Sequence, residues 1–215
     1  MFQIVEGNYV QNLQGIQEEY TKQFANTHWC IQINVSAGHI DELFRQLCSQ
    51  VRQPSFLLFE HGTNQREEEQ LRSSDQDPYH KDIFYIDGLD YKRFESIYSR
   101  YQELLVHDGE ICFGLGSHDG TDEVYVGAYK IFTIFTDAPD KYQGILHKAG
   151  FEMSESMKTV WNNFTQDNPG QRRCVKKNGI DIYDMIDELK EQGIYLAGQR
   201  LTGQVNTCPV SYTAL

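Results

Sequence analysis

The sequence has no Cys-x-x-Cys pair. Its five cysteines, at positions 30, 48, 112, 174 and 208, are odd in number and far apart. Structural zinc sites and disulfide frameworks need clustered or paired cysteines. Neither is expected, and a reducing, cytoplasmic compartment is. Long apolar runs are also missing. Nothing approaches the roughly 20 residues of a membrane span, and the first nine residues lack the basic stretch and apolar core of a secretory signal. Positive charge is scarce: 19 Lys and Arg stand against 31 Asp and Glu, a net charge of -12. Duplex binding usually requires a basic face that replaces phosphate counterions. Nucleic acid is therefore not an expected partner, nor is an anionic membrane surface.

Nucleotide and hydrolase signatures are absent too. There is no Gly-Lys-Ser/Thr and no Gly-x-Ser-x-Gly. Gly114-x-Gly116 lies inside a strand–turn–strand pattern rather than before a helix, so it is not a dinucleotide fingerprint. No cofactor is expected. No strict repeat is visible.

What remains is globular in composition, with 40% hydrophobic and 13% aromatic residues, and 215 residues can bury a real core. The pattern predicts an α/β (α+β) fold, a mixed β-sheet with helices packed on it, around a central β-hairpin at 110–136. Ile111, Phe113 and Leu115 alternate with Cys112, Gly114 and Gly116, as in a half-buried strand with one nearly bare face. Residues 117–122 supply turn chemistry through Asp119-Gly120. The return arm, 123–135, is apolar on both faces and is expected to be one long central strand, kinked or bulged at Gly127-Ala128.

The N-terminal stretch predicts a short strand at 2–5 and an amphipathic helix over 6–26, because Leu13, Ile16, Tyr20 and Phe24 recur at helical spacing. A strand at 29–35, a helix carrying Ile40, Leu43, Phe44, Leu47 and Val51 with Ser36 as its cap, and a strand at 55–60 follow. Such a crossover predicts parallel neighbouring strands. Residues 62–81 are almost without apolar side chains and read as an acidic loop or linker, with one exposed helical turn at Glu67-Glu68-Glu69. The predicted organisation is an N-terminal lobe at 1–61, the linker at 62–81, a C-terminal α/β lobe at 82–200 and a flexible tail at 201–215.

In the second lobe a strand at 82–87 precedes a helix capped by Asp90, with Phe94, Ile97, Tyr101, Leu104 and Leu105 inward. A helix with Pro139 in its first turn buries Tyr142, Ile145 and Leu146. A short helix over 154–165 and a last helix capped by Asp181 complete the reading. Arg172, Arg173, Lys176 and Lys177 form the one dense basic cluster. They suit phosphate or an acidic partner, or a strand edge that resists aggregation.

Few residues suggest chemistry. His28 and Cys30 share a strand face, but cysteine is commonly a small buried hydrophobe. Asp119, Asp122, Glu123 and His118 could offer ligands to a hard cation, yet Thr121 breaks the calcium-loop spacing and a solvated turn explains them. No catalytic residue or metal ligand is predicted. The acidic balance suits solubility, and it also suits a basic protein partner drawn in by complementary charge. Candidate contacts are Glu67, Glu68, Glu69, Asp75 and Asp77 in the loop, and His118, Asp119, Asp122 and Glu123 in the turn.

The runs Ile86-Asp-Gly-Leu-Asp90, Gly109-Glu-Ile-Cys-Phe-Gly-Leu-Gly-Ser-His-Asp119 and Val126-Gly-Ala-Tyr-Lys-Ile-Phe-Thr133 resemble those of bacterial immunity proteins, over about residues 82–192. The resemblance implies a non-enzymatic protein that binds and neutralises a cognate basic toxin domain, such as a nuclease. It carries over no site residue. The alternatives are an enzyme whose site assembles dispersed His, Cys and acidic residues, and an oligomeric structural protein.

Overall fold

A computed structural model describes residues 1–202. Its centre is one mixed nine-stranded sheet. The strands of that sheet are β2 (Glu19–Ala25), β3 (His28–Ile33), β4 (Ser55–Gly62), β5 (His80–Leu89), β6 (Cys112–Ser117), β7 (Glu123–Val126), β8 (Phe132–Thr136), β9 (Glu152–Met153) and β11 (Tyr195–Leu201). They lie in the order β11-β5-β4-β6-β7-β8-β3-β2-β9. The β2–β9 pair is parallel and the others are antiparallel. A separate two-stranded ribbon joins β1 (Asn8–Tyr9) to β10 (Gln171–Arg172). The α-helices are α1 (Ile40–Cys48), α2 (Gln65–Leu71), α3 (Tyr91–His107), α4 (Pro139–Lys148) and α5 (Ile182–Leu189).

Helices α1, α3, α4 and α5 turn their apolar stripes onto one face of the sheet. Phe44, Tyr98, Tyr142 and Met185 from these helices join Leu57, Phe59, Phe113, Val124, Phe132 and Ile134 from alternate strand positions in a single cluster. Phe44 stands at its middle, its ring 4.9 Å from Tyr98, 5.0 Å from Phe113 and 6.0 Å from Phe94. Each such buried side chain contributes about 1.5–3 kcal/mol. The helix caps follow the sequence: Asp90 accepts from the Arg93 N–H, and Asp181 accepts from the Tyr183 and Asp184 N–H groups.

Several expectations are corrected. Residues 6–26 form β1, a run of turns and β2 rather than a helix. Gly15 takes φ +80°, which ends any helix there, and β2 is paired on both edges, by β3 and β9. Residues 2–5 form no strand. Strands β3 and β4 do run parallel, but β6, β7 and β8 separate them. The arm expected to be unbroken from 123 to 135 folds back on itself. Tyr129 and Lys130 adopt φ of +57° and +59°, and β7 and β8 pair antiparallel across that turn. The buried Lys130 ammonium donates to the carbonyls of Leu105 and Ile111, which fixes the reversal. Burial lowers the Lys130 pKa to about 8. Only a 3-10 turn, Val160–Asn163, stands where a helix was expected over 154–165.

Strands from 1–61 and from 82–200 interleave in the one sheet, and 62–81 connects the neighbouring strands β4 and β5. Strand β11 was not anticipated and covers the outer edge of β5. The predicted flexible tail lies outside the described residues from 203 onward, and Cys208 with it. Among the described residues, no helix is long and apolar enough to cross a membrane.

Candidate binding surface on the helix-free sheet face

The strand positions of opposite parity point away from the helices, since side chains alternate along a strand. On β4 these are Phe56, Leu58 and Glu60, on β5 Tyr85 and Asp87, on β6 Cys112, Gly114 and Gly116, and on β7 Glu123 and Tyr125. None belongs to the helix-side cluster. The bare positions of β6 are covered by aromatic rings from its neighbours in the sheet. Gly116 pairs with Phe56, whose ring would lie 2.3 Å from a Cβ there, and Gly114 pairs with Tyr125.

Near the 118 turn this face becomes both aromatic and acidic. Phe56 meets Tyr85 at 5.3 Å and His118 at 5.1 Å between ring centroids, and Tyr85 meets Tyr195 at 6.3 Å. His118 Nε2 lies 3.1 Å from Asp87 Oδ1, and the Tyr195 hydroxyl donates to Asp87 Oδ2 at 2.5 Å. That bond, aided by burial, pushes the Tyr195 pKa up to about 12. Tyr195 is 46% exposed, and Asp87, His118 and Asp119 are exposed as well.

Behind them lie Glu123, opposite Gly116 of β6, and Glu60, opposite Cys112. The Tyr125 hydroxyl donates to Glu60 Oε2 at 3.2 Å, and Arg200 Nη1 lies 3.8 Å from Glu60 Oε1. Glu123 is held less completely, because its Oε1 is buried without a hydrogen-bond partner. Burial first, and the charge of Glu60 second, raise the Glu123 pKa to about 7, against the pull of Arg200.

The predicted contact residues separate into three groups. His118, Asp119 and Glu123 lie on or beside this surface. Glu67, Glu69 and Asp75 are exposed, but at the Gly62 end of β4, whereas the 118 turn adjoins its Ser55 end. At strand rise the two ends are roughly 25 Å apart. The others are engaged within the chain itself. Glu68, 5% exposed, accepts from the His80 N–H and lies 3.1 Å from its imidazole Nδ1. Burial opposes its charge, but these His80 contacts win and lower its pKa. Asp77 staples its own loop, accepting from Ser74 Oγ and the Ser73 and Ser74 N–H groups. Asp122, 1% exposed, accepts from Thr136 Oγ1 and Lys141 Nζ, both at 2.7 Å. It ties the turn to α4 and faces no partner.

Phe56, Tyr85, Asp87, Tyr195 and Glu60 were missed. Glu60 had a signal in the sequence: a lone carboxylate closing the apolar run Ser55-Phe-Leu-Leu-Phe. The others had none until the strand order was known. Cys30, Cys48 and Cys112 are buried. Among the described residues no group of three or more His, Cys, Asp or Glu could hold a metal ion. No protein-family model matches the chain, and no curated protein or solved structure matches it.

Proposed function

We propose that the protein is a non-enzymatic binding protein for a basic protein domain, acting as an immunity protein does on its toxin. The docking surface is the aromatic–acidic end of the helix-free sheet face, with Phe56, Tyr85 and Tyr195 as anchors and Asp87, Asp119 and Glu123 as the acidic groups. The observation that carries this reading is the partnerless Glu123 Oε1. A buried carboxylate oxygen without a donor is costly, and a Lys or Arg delivered by a partner would complete it. The tyrosine and phenylalanine rings match the residues that dominate binding energy at interfaces. The net charge of -12 favours encounter with a basic domain.

The test is calorimetric titration of the chain against basic toxin-type domains encoded beside its gene, together with growth rescue on coexpression. Phe56→Ala with Tyr195→Ala should weaken binding on the order of 30-fold, the effect of losing about 2 kcal/mol of hot-spot energy. The reading is wrong if no such domain binds, or if binding survives both this variant and a roughly tenfold rise in salt.

A second reading has one observation in its favour. A carboxyl raised to about 7, by burial first and by the charge of Glu60 second, also suits general acid catalysis. It predicts turnover abolished by Glu123→Gln with no loss of affinity for a protein partner.

A further inference from the structure

A second, independent site lies in the ribbon of β1 and β10, where Asn8 stands directly across from Arg172. The ribbon is locked against the end of α3. The Gly7 N–H donates to the His107 carbonyl at 2.8 Å, the Arg173 N–H to the Gly7 carbonyl at 2.8 Å, and the Gly109 N–H to the Arg173 carbonyl at 3.0 Å. A Cβ on Gly7 would lie 2.2 Å from the Gly109 nitrogen, so only glycine permits this approach. Beside the ribbon runs a groove of about 360 Å³, whose walls include Glu6, Asn8, Tyr9, Gln171, Arg172 and Arg173, the Glu6 carboxylate being paired with Lys177.

Three buried polar atoms at this groove lack partners. Asn8 is only 7% exposed, yet neither its Nδ2 nor its Oδ1 makes a hydrogen bond. Arg172 Nη1 is likewise buried and unpaired, although Nη2 lies 3.5 Å from Glu110 Oε2. Folded proteins leave few such atoms unsatisfied, and three on one facing pair point to a group that belongs between them.

The atoms specify the ligand. An unpaired guanidinium N–H calls for an oxyanion. The amide presents one donor and one acceptor, whichever way it is turned. A fully deprotonated phosphate or a simple carboxylate satisfies donors only and leaves the amide oxygen empty. A carboxylate with a neighbouring N–H satisfies all three. That combination is the C-terminus of a peptide chain, whose carboxylate would face Arg172 and whose last N–H would reach the Asn8 oxygen. We infer that the Asn8–Arg172 groove is a binding site for the C-terminal carboxylate of a peptide. The inference is independent of the acidic surface on the sheet, and it gives the basic cluster at 172–173 a role beyond protecting a strand edge.

The experiment is an NMR titration of the full chain with N-acetylglycine, following the Asn8 side-chain amide and the Arg172 guanidinium. Saturable shifts at both groups are expected. Acetate, which lacks the N–H, and N-acetylglycinamide, which lacks the charge, should each bind at least about tenfold more weakly, because each leaves a buried group unpaired. Asn8→Leu should abolish the response while melting no lower than the wild type, since it removes an unsatisfied buried amide. If that variant does not fold, Arg172→Gln serves instead and should also abolish the response. The site is disproved by any of three outcomes: no saturable shift with N-acetylglycine, equal affinity for acetate, or an unchanged response in the variant that folds. A lone bridging water that N-acetylglycine fails to displace counts among the first of these.

Discussion

A carboxyl that keeps its proton to about pH 7 leaves a signature in stability as well as in binding. The Glu123 pKa rises from 4.5 to about 7, through burial and then through Glu60. Between those values the folded chain holds a proton that the unfolded chain has released. The side chain therefore favours folding in acid, and that advantage is lost as pH rises from about 4.5 to about 7. Glu123→Gln keeps the shape and removes the titration. It should match the wild type near pH 5 and exceed it by about 1–3 kcal/mol near pH 8 in urea unfolding. A difference independent of pH would mean that Glu123 titrates normally and that its oxygen is not stranded. The same residue links stability to binding: a cation that completes the carboxylate should restore part of the lost stability at neutral pH.

Among elements, β6 shows how backbone and side chain share one surface. Its two glycines meet different obstacles. A Cβ on Gly114 would lie 2.7 Å from the Val124 carbonyl oxygen, which the β7 ladder fixes in place, whereas a Cβ on Gly116 would meet the Phe56 ring. Gly114→Ala should cost about 1–3 kcal/mol, as overpacking against fixed backbone does. Gly116→Ala should cost less in thermal melting, because the ring can swing aside, but it should disturb the Phe56 anchor. Equal losses would mean that Phe56 is as rigid as the backbone. The bare face of β6 was legible in the sequence from Gly114 and Gly116, and so were the caps Asp90 and Asp181 and the helix carrying Phe44. The failures have physical causes. Leu13, Ile16, Tyr20 and Phe24 fit helical spacing, but Gly15 reverses the chain and strand pairing holds Tyr20. The reversal after β7 rests on Lys130 bonding to carbonyls 19 and 25 residues away in sequence, which no local pattern records. Strand β11 is a run of exposed and half-exposed residues whose reason to extend is the open edge of β5. The candidate surface was legible only at its turn, since Phe56, Tyr85 and Tyr195 become neighbours through strand order alone.

For the whole molecule, charge and aromatic anchors must be read together. The basic residues of 173–177 ride with the helix layer: Lys176 pairs with Asp181 at the start of α5, and the Arg173 N–H bonds beside the end of α3. On the opposite sheet face the exposed acidic groups are Asp87 and Asp119. Asp87 and Asp119 are the charges on that face that can draw in a basic partner. Two acidic ends of the sheet compete for it, and they differ in kind. The Gly62 end offers Glu67 and Glu69 on the short helix α2, while the rings at that end, His61, Phe84 and Tyr183, pack on the helix side of the sheet. The Ser55 end joins Asp87 and Asp119 to three aromatic rings. Steering needs only charge, but a slow off-rate needs buried anchors. Reversing Glu67 and Glu69 to Lys should thus lower the association rate and its salt dependence, with the dissociation rate nearly unchanged. Reversing Asp87 and Asp119 should raise the dissociation rate by an order of magnitude or more, roughly the 1.4 kcal/mol per tenfold of a lost central contact. Surface plasmon resonance on both double variants separates the two ends. A faster off-rate confined to the Glu67/Glu69 variant would move the docking site to α2 and leave the Phe56 surface without a role.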